Sequence, residues 1–446
     1  MLAFLRFEAR RIFAEKKNLA FFALIALSAG YFVWSGVNEY RRSLAEKDFF
    51  VNFEREKTRQ IATYAQYGTF GFRILYETTP LNLFFINSSV LQDLESNIDN
   101  YEAIRIDSSF KGDKLFLMRG YFKDFAGIFF VFGSLLMLYL GHLALVSPPY
   151  LRFLAGRMPL ARYFFLTTAA RLFWLDLFFL ALAMGLFAGV QAGGIEFSGP
   201  EREVFLCFSL FLILMLDFIY LLGQLTTVCI RFRKTFFLWF FVVWFACIFL
   251  LPELSRIRVF RSSQSLEPAE KINLEKFRNL MTMEKEFREY LRTNPSTSLD
   301  QVRQMQKKFA VQFINSSYLV NTALEMRYLR KIENVIAEHE RRSVGFPTAY
   351  YPFLSGEASG KGYHGYLDFM DYIMKLRNRF TQFYLEKRYL QPDSAVESFV
   401  KGHENIFRSR CRLPRSFVSA VTVTALYCAA LLLLAFWGLQ RQVRRP

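Results

Sequence analysis

The 446 residues carry a formal charge of +17; 53% are hydrophobic and 18% aromatic, yet 21% are charged. Such a mixture excludes one water-soluble globular core and calls for apolar spans alternating with ordinary water-facing segments. A basic balance can also mark nucleic-acid binding, but here the cations cluster at the ends of the apolar runs, so the expected partner is a lipid bilayer and not nucleic acid.

In chain order, residues 1–17, "MLAFLRFEARRIFAEKK", place Leu2, Leu5, Ala9 and Ile12 on one helical face, with Arg6, Arg10 and Arg11 towards the other. A helix of this kind lies in the membrane interface, held by apolar burial and anionic lipid. Six apolar runs follow at about the length a bilayer requires: 18–38, 125–147, 163–191, 204–230, 235–251 and 416–440. The first has Tyr31, Phe32, Val33 and Trp34 after its small residues, so it reads as an uncleaved anchor. The segment 39–124 opens with a helical pattern, turns irregular around Pro80, and suggests a further helix and a strand near "INSSVLQDLESNIDNYEAIRI". The segment 252–415 predicts a mainly helical domain. Its first helix lies in "EPAEKINLEKFRNLMTMEKEFREYLRT", and Ser298 with Gln301 forms a capping box for a long helix from Leu299 to Arg342. A loop, "SVGFPTAYYPFLSGEASGKGYHGY", and a last amphipathic helix, Leu367 to Tyr389, complete it.

Lysine and arginine in short loops set orientation. Arg6, Arg10, Arg11, Lys16 and Lys17 precede the first span. Arg152, Arg157 and Arg162 lie in 148–162, Arg231, Arg233 and Lys234 in 231–234, and Arg441, Arg444 and Arg445 in the tail 441–446. With six spans these basic segments share one side, which is therefore the cytoplasmic one. The segments 39–124, 192–203 and 252–415 fall on the other.

Chemistry-bearing motifs are sparse. "SGEASGKGY" resembles a phosphate-binding loop, but its Gly356-to-Gly360 spacing is one residue short and Gly362 stands where the magnesium-binding hydroxyl belongs. His142, His339, His364 and His403 share no ligand spacing, and His142 reads as a packing or interfacial residue. Cys207, Cys229, Cys247 and Cys428 lie in apolar runs, leaving Cys411 in a water-facing segment, so neither a disulfide framework nor a zinc site is expected. No catalytic, cofactor-binding or metal residues are assigned. Asp176 and Asp217 lie within spans, where a carboxylate is costly. Each serves either a polar path or structural pairing, with Arg171 the nearby cation for Asp176.

The loop "YLRFLAGRMPLARYFF", between the second and third of the six spans that follow a basic amphipathic approach helix, carries a resemblance. The chain resembles the ABC-2-type transporter permeases, whose cytoplasmic coupling helix often reads G-x-L-x-x-L-L-x-x-P-x-x-R. Leu151, Arg152, Leu154, Gly156, Arg157, Pro159 and Arg162 fall in the matching stretch, with Pro148 and Pro149 in place of the usual acidic lead-in. "YFKDFAGIFFVFGSLLMLYLG" is also similar to the family's approach to its second span, and "YPFLSGEASGKGYHGYLDFMDYIMKLRNRFTQFYLEKRY" to the end of its extracytoplasmic insert.

The resemblance implies an all-α membrane fold of six transmembrane helices with an elbow helix, a coupling helix and a helical extracytoplasmic domain, in a bacterial inner membrane with both termini cytoplasmic. It implies a non-catalytic subunit that pairs with itself or a related permease and docks onto a dimer of separate ATPase subunits, where ATP and magnesium bind. The path would run between the halves along the second and fifth spans, and the aromatics of Phe236 to Phe249 would suit a lipidic or amphipathic cargo as well as lipid contact. The competing reading is a membrane-anchored protein that transmits force or assembles envelope proteins without moving a solute, favoured by the bulk of 39–124 and 252–415. An intramembrane enzyme is disfavoured because no acid, base, nucleophile or metal cluster converges.

Overall fold

Where water is absent, every backbone N–H and C=O must be satisfied within its own segment, so an apolar run inside a bilayer becomes a helix. The computed structural model describes residues 2–86, 95–98, 123–144, 159–229, 236–254, 269–293, 299–390, 396, 398–399 and 405–444. Helix α1 (Leu2–Phe13) bends at residues 14–15 into α2 (Lys16–Arg59). The short α3 (Tyr64–Phe70) is capped by Thr63, whose hydroxyl accepts from the Gln66 N–H at 3.3 Å. Strand β1 (Phe72–Glu77) and β2 (Glu95–Ile98) precede α4 (Phe125–Ala144), whose first turn is capped by the Asp124 carboxylate accepting from Gly127 N–H at 2.7 Å. Then come α5 (Leu160–Ala192), α6 (Gly199–Cys229) and α7 (Phe236–Phe245), which continues through a π-turn at Ala246–Leu250. The remainder is α8 (Ala269–Thr293), α9 (Leu299–Ser343), α10 (Pro347–Ala358), α11 (Tyr363–Leu385), β3 (Ile406–Arg408) and α12 (Phe417–Arg444).

Helices α2, α4, α5, α6 and α12 are long and apolar enough to cross a membrane, the build of a mostly helical integral membrane protein. The apolar stretch Leu238–Leu254 around α7 is shorter than these. Helix α2 does not stop where its apolar run ends at Asn38. It holds 44 residues, about 66 Å at 1.5 Å per residue, because 39–59 contains neither Pro nor Gly and is rich in Glu and Arg.

Outside the spanning helices, β1 pairs antiparallel with β2 (Phe72 opposite Ile98) and parallel with β3 (Leu75 opposite Ile406). A short sheet thus joins segments more than 300 residues apart in sequence. The inward face of β1 buries Phe72, Ile74 and Tyr76, and the Phe72 and Tyr76 rings meet Phe369, Phe380, Phe399 and Phe407 at 5.1–5.6 Å, edge-on or tilted. Arg377 of α11 and Glu325 of α9 form a buried bidentate pair at 2.5 and 3.0 Å.

The expected loop at 343–366 is not one. Pro347 sits in the first turn of α10, where its missing N–H leaves no intrahelical bond unmade, and the apolar residues after it bury that helix almost completely. Gly360, with φ +73°, ends it. Helix α11 consequently starts at Tyr363, four residues before the expected Leu367.

His364, in the first turn of α11, draws this region together. Its Nδ1 lies 3.2 Å from the Glu357 carboxylate of α10 and its Nε2 3.8 Å from Glu340 of α9. Glu340 in turn accepts from Ser416 N–H at 3.1 Å and Ser416 O–H at 2.5 Å, just before α12. The Glu357 carboxylate is the main cause that raises the His364 pKa above 6.5; Glu340 adds to it, while burial and Arg412 oppose it. A raised folded-state pKa contributes stability that is full below the ordinary imidazole value and lost as pH climbs through the folded value. Thermal midpoints in detergent should therefore fall as pH rises above about 6.5, and His364→Gln should flatten that slope.

Candidate functional site

The apolar face of α1 carries one acid. Leu5, Glu8, Ala9 and Ile12 fall at i, i+3, i+4 and i+7, so Glu8 shares the side that meets the bundle. Its carboxylate reaches Arg171 Nε of α5 at 2.7 Å, with both side chains buried, and Arg11 approaches it at 3.9 Å. The Trp174 indole N–H, one turn along α5, donates to Leu5 O at 3.0 Å. Asn18 at the start of α2 donates to Ile12 O at 3.0 Å, satisfying a carbonyl that the end of α1 leaves open. The approach helix is thereby clamped to α5 at one side and to α2 at its end. Arg6 and Arg10 are exposed, as their helical spacing predicts.

From Arg171 the polar contacts cross the bundle towards the ends of α6 and α4. Its guanidinium faces the Tyr220 hydroxyl of α6. Gln224, one turn on, donates to Thr168 Oγ1 of α5 at 3.0 Å and to the Tyr220 hydroxyl at 3.4 Å. A further turn brings Thr227, whose Oγ1 lies 2.6 Å from His142 Nδ1 of α4. The ladder spans four helices because residues at i, i+3 and i+4 stack along one helix face. It also needs α4 and α6 to touch at backbone level. A Cβ built on Gly141 would lie 2.1 Å from Tyr220 O, and one on Gly223 would lie 2.3 Å from Leu138 O. Small residues permit that approach in membrane helices.

Asp176 and Asp217 meet elsewhere. Arg171 is committed to Glu8 and Tyr220, so the expected Arg171–Asp176 pairing does not form. The carboxyl group of Asp176 instead faces that of Asp217 across α5 and α6. Each keeps one buried oxygen without a hydrogen-bond partner. Cys428 of α12 approaches the same place, its Sγ 3.8 Å from Leu214 O. The two acids thus form one intramembrane polar spot at the junction of three helices.

Pro159 stands immediately before α5, where its carbonyl accepts from Tyr163 N–H at 3.1 Å, and Arg162 lies in the first turn. Leu151, Arg152, Leu154, Gly156 and Arg157 lie outside the described residues. Among the described residues, no group of three or more His, Cys, Asp or Glu side chains could hold a metal ion. Sequence reasoning missed Glu8, Thr168, Tyr220 and Gln224. The signal for Glu8 was present in its i+3 spacing from Leu5; the others look like ordinary polar residues until the helices are placed. Comparison with protein-family models, curated proteins and solved structures returns no match to this chain.

Proposed function

We propose that this chain is the transmembrane permease subunit of an ABC-2-type exporter, driven by a separate ATPase that carries the ATP and magnesium. In this reading the stretch around α7 is a sixth span, and the chain lies in a bacterial inner membrane with both termini cytoplasmic. It pairs with a second permease subunit, the loop 148–162 docks on the ATPase, and the aromatic α7 borders a path for a lipidic or amphipathic cargo.

The observation that carries the reading is the Glu8–Arg171–Tyr220–Gln224 ladder. It ties the amphipathic approach helix α1 to α5 a few turns after Pro159, and ties α5 to α6 and α4. A push delivered to the loop before Pro159 would therefore move α1, α5 and α6 together, a rigid-body response of packed elements. A second reading, an envelope assembly or force-transmitting protein, is favoured by α9, whose 45 residues extend about 68 Å, more than twice a bilayer's hydrocarbon thickness.

The test is gentle purification from the native membrane and identification of the stoichiometric companions. An ATPase with a genuine phosphate-binding loop should accompany the chain, and Arg157→Glu with Pro159→Gly should weaken that association. Envelope proteins alone would favour the second reading.

A further inference from the structure

Helix α8 packs along α9, its Glu275 4.0 Å from Arg327. With that contact made, Leu274, Phe277 and Met281 stay 49%, 58% and 50% exposed. They fall at i, i+3 and i+7 and so line one helical face. Helix α8 is not one of the five spanning helices, and large apolar side chains gathered on a water-facing helix mark an interaction site.

The charges beside this stripe follow the same repeat. With Leu274 and Met281 at a and Phe277 at d of a heptad, Lys271, Arg278, Lys285 and Arg292 all occupy e, seven residues apart. All four are exposed, and none of them forms an ion pair among the described residues. The acids described on α8 are placed elsewhere. Glu275 is held by Arg327, and Glu284, at the next d, is bound by Arg288 one turn on. Glu286 and Glu289 lie further round the helix, at f and b.

This one-sided row of cations decides what covers the stripe. Residues at e face e in an antiparallel helix pair and g in a parallel one, and opposite charges there select the partner. A second α8 fits neither way. Antiparallel, the cations face one another; parallel, they face the uncharged positions Asn273, Leu280 and Phe287. A helix lying on anionic lipid carries cations along both borders of its apolar face, whereas here they follow one border and Glu284 stands on the other side.

We infer that the exposed face of α8 is a docking surface for an acidic amphipathic helix of a partner protein. Its apolar seam lies against Leu274, Phe277 and Met281, and its row of carboxylates against Lys271, Arg278, Lys285 and Arg292. The stripe supplies the burial and the cation row supplies the choice of partner.

The experiment places the full chain in phosphatidylcholine nanodiscs with no ATPase, so the result does not depend on the transport reading. Fluorescence anisotropy follows a labelled three-heptad peptide with Leu at a and d and Glu at e and g, and a control peptide with Lys at e and g. The acidic peptide should bind and the basic one should not, and binding should weaken as salt rises. Phe277→Asp and Arg278→Glu should each weaken it at least about tenfold, which corresponds to about 1.4 kcal/mol. Arg278→Glu with Lys285→Glu should reverse the preference, a gain that a misfolded chain does not give. Leu319→Asp, at a 65% exposed position on α9, should change nothing. Equal binding of the two peptides, no binding of the acidic one, undiminished affinity in both single variants, or displacement by phosphatidylglycerol vesicles would overturn the inference.

Discussion

Glu8→Met is expected to destabilise the folded chain by about 3–5 kcal/mol, the range for breaking a buried ion pair from one side. The Arg171 side chain is only 5% exposed, and without Glu8 its guanidinium keeps the Tyr220 hydroxyl but loses its only described anionic partner. Arg171→Met should cost a similar or somewhat smaller amount, because Glu8, at 1% exposure, then keeps only the Arg11 guanidinium at 3.9 Å. The double replacement, Glu8→Met with Arg171→Met, should recover most of the loss, since apolar side chains of similar volume replace buried pairs at little or no cost. Thermal unfolding of the four proteins in detergent provides the double-mutant cycle. Additive losses would mean that the two residues do not act as a pair and that α1 is held by the Trp174–Leu5 and Asn18–Ile12 bonds alone.

Gly141→Val and Gly223→Val should be comparably severe, for a steric reason. At both positions the atom in the way is a backbone carbonyl of the facing helix, 2.1 and 2.3 Å from the added Cβ. No rotamer change relieves such a clash, so α4 and α6 must separate. Overpacking costs about 1–3 kcal/mol where a core can adjust, and these sites should reach or exceed the top of that range. Gly185 and Gly189 on α5 are the internal controls: a Cβ there meets nothing within 4 Å, so alanine should be neutral or slightly stabilising through helix propensity. Separation of α4 and α6 also shifts Tyr220, next to the contact, so Gly141→Val and Tyr220→Phe should be non-additive in thermal midpoint. Wild-type stability for Gly141→Val would refute the close packing.

The spanning helices were legible because hydrophobic length alone defines them. Residues 18–38 lie in α2, 163–191 in α5, 204–229 of the expected 204–230 in α6, and α12 begins within one residue of the expected Ser416. Their ends were less legible. Helix α2 continues past Asn38 because charged helix formers extend a helix once it is nucleated, and Gly199 begins α6 five residues before its apolar run, with Glu201 accepting from Ser198 N–H at 2.7 Å. Helix α10 was hidden because Pro347, Pro352 and the five glycines of 343–366 look like turn residues, whereas tertiary burial decides the outcome. The β1–β3 pairing joins residues 75 and 406, a register no local pattern encodes. Of the candidate site, Asp176 and Asp217 were visible as isolated acids in apolar runs. Their mutual contact, and the preference of Arg171 for Glu8, depend on which helices become neighbours.

The proposed function rests on a partner that this chain does not contain. The most direct measurement is therefore mass spectrometry of the complex withdrawn gently from its native membrane, with stoichiometry determined. The account predicts two permease chains with two copies of an ATPase bearing a complete phosphate-binding loop, an association weakened by Arg157→Glu with Pro159→Gly. Recovery of this chain with envelope proteins and no ATPase at any detergent strength would contradict it.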